Sequence, residues 1–261
     1  MLILFTDYGW HDPYVGQVKA VLAALAPGVP VIDLLHAVPD FNAHAGAHLL
    51  AALGADLPQG AVVLAVVDPG VGGPRSGAVL EADGRFYVGP DNGLLSVLAG
   101  RARSVHTWRI SWQPENLCPS FHGRDIFAPV AARIAAGDFP AGWLTATGGL
   151  EIQFDPSDLA RILYLDHYGN AWTGLRGHIG GGLVAPGSEI EVNGHVLPWR
   201  RVFMEAAKGE AFWHVNSSGL VEIAVNRGSA AEQLGLKMGD AVRVAGAGKR
   251  HSGDDCLAKI G

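Results

Sequence analysis

Four residues of the N-terminal half are of types that can do chemistry together: Asp7, Asp68, Arg75 and His122. They fall in three short polar clusters: Thr6-Asp7-Tyr8-Gly9-Trp10-His11-Asp12, Asp68-Pro69-Gly70-Val71-Gly72-Gly73-Pro74-Arg75 and Phe121-His122-Gly123-Arg124-Asp125. An aspartate, an arginine and a histidine from three loops can form one charged constellation. In it the guanidinium holds the carboxylate ionised, and the carboxylate orients and charges the imidazole. Such a set can position and deprotonate a water. Each cluster also has a plainer reading. Asp12 before Pro13 fits a helix N-cap followed by proline at the first helical position. The glycines after Asp68 fit ordinary turn chemistry, and they match neither the phosphate loop nor the dinucleotide fingerprint. Taken alone, His122 fits a core histidine, and Arg124 with Asp125 fits an ion pair and a helix cap.

Two weaker constellations lie elsewhere. His44 and His48 are four apart on an expected helix, a spacing that suits zinc, but Ala-Gly-Ala separates them and the zincin glutamate is missing. A metal-dependent hydrolase built on them is one rival reading, and no metal or cofactor is expected. Asn216-Ser217-Ser218-Gly219 lacks the G-x-S-x-G pattern of a nucleophile elbow.

The three clusters need strands to present them. Residues 2–6, 29–35, 61–67, 85–88 and 104–110 are short apolar runs that read as buried strands. Between them come expected helices: one after Asp12-Pro13, one from Asn42 to Leu53, one near 93–98 and one over 125–136. This alternation predicts an α/β domain with a largely parallel sheet covered by helices. Ligands in such sheets bind beyond the carboxyl ends of the strands, where these clusters fall. The rhythm changes over 137–160, a stretch with scattered glycine and proline. Short alternating runs follow, with a hairpin signal at Asn193-Gly194. The division expected is an α/β domain over 1–150, a linker over 137–160 and a smaller all-β barrel over 160–261.

Composition narrows the class. The 261 residues are enough for two domains and a sizeable core. Hydrophobic residues make up 49% and the net charge is −6, which argues against nucleic acid or an anionic membrane as the main partner. The two cysteines, Cys118 and Cys256, match no metal or redox spacing and suit a reducing compartment. The apolar N-terminus meets Asp7 at once and has no basic flank, so it does not read as a signal peptide. No apolar run reaches the ~20 residues needed to span a bilayer. A cytoplasmic setting is expected.

Six stretches carry a resemblance: TDYGWHDPYVGQVKAVL (6–22), VVDPGVGGPR (66–75), VGPDNGLLS (88–96), SFHGRDIFAPVAA (120–132), LDHYGNAWT (165–173) and SSGLVEIAVNRGSA (217–230). Together, in this order, the chain resembles the S-adenosyl-L-methionine hydroxide adenosyltransferases. These are adenosine-forming hydrolases related to fluorinating and chlorinating enzymes. The resemblance implies an N-terminal α/β domain, a C-terminal β-barrel, and a homotrimer whose sites lie between one subunit's N-domain and its neighbour's C-domain. It implies that Asp68, Arg75 and His122 activate water, and that Asp7 holds the ribose hydroxyls. Asp12 falls at a position associated with the methionine moiety. Phe41 and Tyr168 fall on aromatic positions around the nucleoside. Asp166, Asn170 and Ser217 lie in motifs lining the methionine and adenine ends, and Asn226 and Arg227 fall where adenine is read. One departure is Thr173-Gly174, where the family often has Thr-Asn. The expected partners are S-adenosyl-L-methionine, adenosine and L-methionine. The expected reaction is in-line attack of an activated water on the ribose 5′ carbon. The alternatives are a halogenase on the same scaffold and a non-catalytic nucleoside-binding protein.

Overall fold

The computed structural model describes residues 1–178, 182 and 184–245; Cys256 and the tail after Lys249 lie outside them. The opening apolar run is β1 (Leu2–Thr6), buried at every residue. It sits between β2 (Val31–Leu35) and β3 (Val62–Val66), parallel to both. β3 is flanked in turn by parallel β5 (Arg85–Pro90). Beyond β5 the sheet turns antiparallel: β4 (Gly77–Ala82), β6 (Val105–Ile110) and β7 (Leu144–Thr147) complete the order β2-β1-β3-β5-β4-β6-β7. The sheet is therefore mixed, with its parallel half where the polar clusters are. Strand β4 follows the glycine-rich loop directly and pairs with β5 as a hairpin, so strand–helix alternation did not predict it. Strand β7 lies within the stretch expected as a linker and extends this sheet.

Helices cover both faces. α1 (Pro13–Leu25) and α4 (Ala128–Ala135) pack Val18, Leu22, Val130 and Ala131 on one side. α2 (Ala43–Gly54) and α3 (Ser96–Arg101) pack Leu49, Leu50 and Leu98 on the other. Burying Leu49 and Leu50 completely contributes about 1.5–3 kcal/mol each. Asn42 caps α2 as expected, its Oδ1 accepting from the Ala45 amide at 3.0 Å. Asp12 occupies the N-cap position of α1 with Pro13 behind it, but its side chain makes no capping hydrogen bond.

Among the described residues of the C-terminal half, the regular elements are strands and short helical turns. β8 (Leu159–Leu165), β9 (Ala171–Arg176), β12 (Ala211–Val215) and β13 (Leu220–Val225) form one antiparallel sheet. β10 (Glu189–Val192), β11 (His195–Leu197) and β14 (Val242–Ala245) form another. Bridges Arg161↔Ala241 and Trp199↔Trp213 tie the sheets at both edges, so the strands run round a core containing Ile190, Trp213 and Ile223. Asn193 and Gly194 both have positive φ (47° and 78°), as the expected β10–β11 hairpin requires. Leu163 and Leu220 pack into the core beneath α2, so the two halves share apolar contact. Among the described residues no helix is long and apolar enough to cross a membrane.

Candidate active site

Register brings the first two clusters together. β1 and β3 pair from Leu2↔Val62 to Thr6↔Val66, so both strands end level. The Asp7 amide then donates to the Val66 carbonyl at 3.3 Å, which places Asp7 and Asp68 on adjacent strand ends. β5 approaches β3 so closely that a Cβ on Gly89 would lie 2.0 Å from the Ala65 carbonyl oxygen. Asn92 pins the same strand end, its Nδ2 donating to the Val67 carbonyl at 2.8 Å. The third cluster opens α4 as a π-helical turn, Gly123–Phe127, with His122 at its N-cap. Such turns are rare and concentrate at functional sites. Phe127 of this turn lies under the Arg75 guanidinium, 5.1 Å from ring centroid to Cζ.

The three side chains meet. Arg75 Nε donates to Asp68 Oδ1 at 2.9 Å, and its Nη2 donates to Asp68 Oδ2. The same Nη2 lies 3.0 Å from His122 Nδ1. A guanidinium has only donors, so Nδ1 accepts, and the neutral imidazole carries its proton on Nε2. Burial, reinforced by the Arg75 charge, holds the His122 pKa below its usual value against the opposing pull of Asp68 and Asp125. This corrects the expectation that the carboxylate orients and charges the imidazole. Arg75 stands between them, and a cation at 3.0 Å keeps the ring neutral.

Asp68 and His122 open into a cavity of about 620 Å³, which Asp7, Asp12 and Phe41 also line. Its lining includes four carboxylates, Asp7, Asp12, Asp40 and Asp68, and no lysine or arginine. A concave acidic wall of this kind favours a cationic ligand. Asp7 accepts from the Phe41 amide at 3.2 Å. Burial raises its pKa, and the nearby Asp40 and Asp68 charges add to the rise. Phe41 is 76% exposed and held at φ 59°, a strained conformation for an aromatic residue. The uncapped Asp12 carboxylate is free to face a ligand.

The other candidates are not brought to this cavity. Asp166 accepts from the Tyr168 and Asn170 amides and from Asn170 Nδ2, each at 2.9 Å, forming a closed turn. Tyr168 stands out from it, 74% exposed. Ser217 is exposed on a turn organised by Asn216, whose Oδ1 accepts from the Ser218 and Leu220 amides. Asn226 donates to the Ala206 carbonyl at 2.7 Å, and Arg227 is exposed at φ 60°. None of these six lines the cavity. Gly174 leaves no room for the asparagine of the resemblance, since a Cβ there would lie 2.5 Å from the Leu159 carbonyl oxygen.

The His44–His48 pair faces Phe154 and the Arg101 guanidinium, which lies 3.3 Å from His48 Nδ1. A fixed cation beside the ring opposes metal binding. Among the described residues no three His, Cys, Asp or Glu are grouped to hold a metal ion. The cavity also takes in residues not singled out from sequence, notably Tyr8, Tyr14, Asp40 and Phe121. Tyr8 and Phe121 had one available signal, their places beside Asp7 and His122.

The same arrangement of domains occurs in known proteins. The SAM hydroxide adenosyltransferase N-terminal domain matches residues 2–142, and the C-terminal domain of that family matches residues 160–243. An (R)-S-adenosyl-L-methionine hydrolase of Thermus thermophilus is 42% identical, over 92% of this chain and 97% of its own. A fluorinase of Actinopolyspora mzabensis is 26% identical, over 94% of this chain and 96% of its own. A solved structure from Thermotoga maritima, described as an uncharacterized conserved protein, superposes with a TM-score of 0.84. It is 31% identical and is matched over 94% of this chain and 99% of its own. With both domain families matched in order and a 42% identical hydrolase covering nearly the full length, this chain belongs to the SAM hydroxide adenosyltransferase family.

Proposed function

We infer that this chain hydrolyses S-adenosyl-L-methionine to adenosine and L-methionine, by in-line attack of a water on the ribose 5′ carbon. The observation that carries the chemistry is Arg75 bridging Asp68 and His122 at the wall of an acidic cavity. The sulfonium is a cation, which the four carboxylates attract, and it leaves as a neutral thioether. No general acid is needed. The protein supplies alignment and a partly desolvated nucleophile, and orientation of this kind contributes roughly 7–11 kcal/mol. Asp68 keeps lone pairs beyond those taken by Arg75 and accepts the water's proton, while the Nε2–H of neutral His122 donates to the water. Asp7 holds the ribose hydroxyls, Asp12 the methionine end, and Phe41 the nucleoside.

The chain assembles as a homotrimer in this reading. Asp166, Tyr168, Asn170, Ser217, Asn226 and Arg227 of a neighbouring subunit close the open side of the cavity. Supporting this are the exposure of Phe41, which lines the cavity, and the exposure of Tyr168, which does not. The functional division is a catalytic N-terminal unit over 1–150 and a substrate-closing unit from 160 onward, joined through 137–160. The unpaired Cys118 fits a cytoplasmic location.

The test is a chromatographic assay of purified protein with S-adenosyl-L-methionine, first in chloride-free buffer and then with chloride. Adenosine and methionine should form in both, and His122→Ala should lose turnover. A chloride-dependent 5′-chloro-5′-deoxyadenosine would instead make the chain a halogenase, and adenosine retained without turnover would make it a binding protein.

A further inference from the structure

Tyr8 follows Asp7 directly and lines the cavity beside Asp68 and His122. Its ring lies edge-on to Phe121, with centroids 5.8 Å apart, and tilted against Tyr14 at 6.0 Å. Its hydroxyl lies against Gly123, so close that a Cβ built there would sit 1.9 Å from the oxygen. Gly123 does not have a positive φ, so its bare Cα is needed for space and not for backbone freedom. The residue next to His122 is thus kept without a side chain to seat a phenol.

That phenol oxygen has no hydrogen-bond partner among the described residues, where the only hydrogen bond of Tyr8 involving a side chain is its amide donating to Thr6 Oγ1. Nor is it among the buried side-chain atoms sealed off without a partner. The hydroxyl is therefore not sealed from solvent, and it sits beside Gly123, which lines the cavity with Tyr8; it has one proton to donate and lone pairs to accept with. Burial raises its pKa, and the charges of Asp7 and Asp68 add to the rise against the opposing Arg75. It stays protonated throughout the working range.

The reacting water has two protons and two lone pairs. One lone pair must point at the 5′ carbon. The other accepts from His122 Nε2–H, and one proton goes to Asp68. The second proton finds no acceptor in the triad, because Arg75 has none. We propose that the Tyr8 hydroxyl oxygen accepts this second proton as a hydrogen bond, making Tyr8 a fourth catalytic residue that fixes the last rotation of the water. The proposal rests on the hydrolytic reading above. As the bond from oxygen to the 5′ carbon forms, the carbon–sulfur pair leaves with neutral methionine. One proton passes to Asp68 and then to solvent. The other stays on the new 5′-hydroxyl, still held by Tyr8.

Tyr8→Phe removes one oxygen and keeps the ring against Phe121. Its kcat should fall roughly 10-fold with KM within about twofold of wild type, the pattern of a lost transition-state interaction. Melting temperature and circular dichroism should be retained. His122→Ala is measured alongside. If His122→Ala is fully active, the triad reading fails, independently of Tyr8. If His122→Ala is inactive, wild-type kcat in Tyr8→Phe overturns the proposal. So does a raised KM at unchanged kcat, which would put the hydroxyl on the substrate and not on the water.

Discussion

The loops at the top of the parallel half-sheet and the loops of the C-terminal strands carry the same kinds of residue under opposite conditions. At the first, carboxylates sit within one cavity, burial raises the Asp7 pKa, and the Arg75 guanidinium behind them is engaged by Asp68 and His122. At the second, Asp166 and Asn216 have their oxygens occupied by their own turns, while Tyr168 and Arg227 extend into solvent. The first region is strained and incompletely satisfied, as expected where a ligand finishes the structure. The second has its Asp166, Asn170 and Asn216 side chains tied into its own turns. In the function proposed above, the chemistry belongs to the first region and the enclosure to the second.

The largest test of this division is Asp68→Asn, which keeps the shape and removes the charge. It should lower kcat by roughly 10²–10⁴-fold with little change in melting temperature; a loss confined to KM would move the chemistry away from this wall. Next comes a mixing experiment. Asp68→Asn subunits and Ser217→Trp subunits, each nearly inactive alone, should regain a measurable fraction of activity when co-assembled. Failure despite proven mixed oligomers would break the shared-site reading. A smaller effect is expected from pH. Burial and Arg75 hold His122 below its usual value, so its neutral form, whose Nδ1 accepts from Arg75, persists as pH falls through ~6.5. The acid limb of kcat should therefore lie below ~6.5, and a limb at or above that value would remove the neutral-imidazole assignment.

The smallest expected effect lies outside the cavity. Burial, with Arg101 and His44 alongside, holds the His48 pKa down to about 4. The unfolded chain, with an ordinary value of ~6.5, takes up this proton first as pH falls. Folded stability is therefore fully present above ~6.5 and declines as pH drops toward the folded value. His48→Gln should flatten the dependence of melting temperature on pH across that window. An unchanged slope would mean that His48 does not set it.

The legible parts of the sequence were local. Alternation of apolar runs and caps located β1, α1, α2 and β3 within a residue or two, because helix caps and buried strands are encoded by neighbours along the chain. β4 was not legible: GAVLEA resembles its parallel neighbours, and only its pairing with β5 and β6 makes it antiparallel. The C-terminal ring is likewise a matter of long-range pairing, closed by bridges between residues as distant as Arg161 and Ala241.

The candidate site divides the same way. Residue types and their motifs were enough to name Asp7, Asp68, Arg75 and His122, since glycine-rich turns after buried strands mark places where side chains face a ligand. Only the tertiary structure decided the order of contact. It put Arg75 between the carboxylate and the imidazole, which leaves His122 a neutral donor in place of the charged ring expected. It also freed the Asp12 carboxylate from its cap and seated the Tyr8 hydroxyl on Gly123. Sequence specifies which groups are available. Distances of about 3 Å between groups 47 positions apart arise only when strand register and helix packing bring them together.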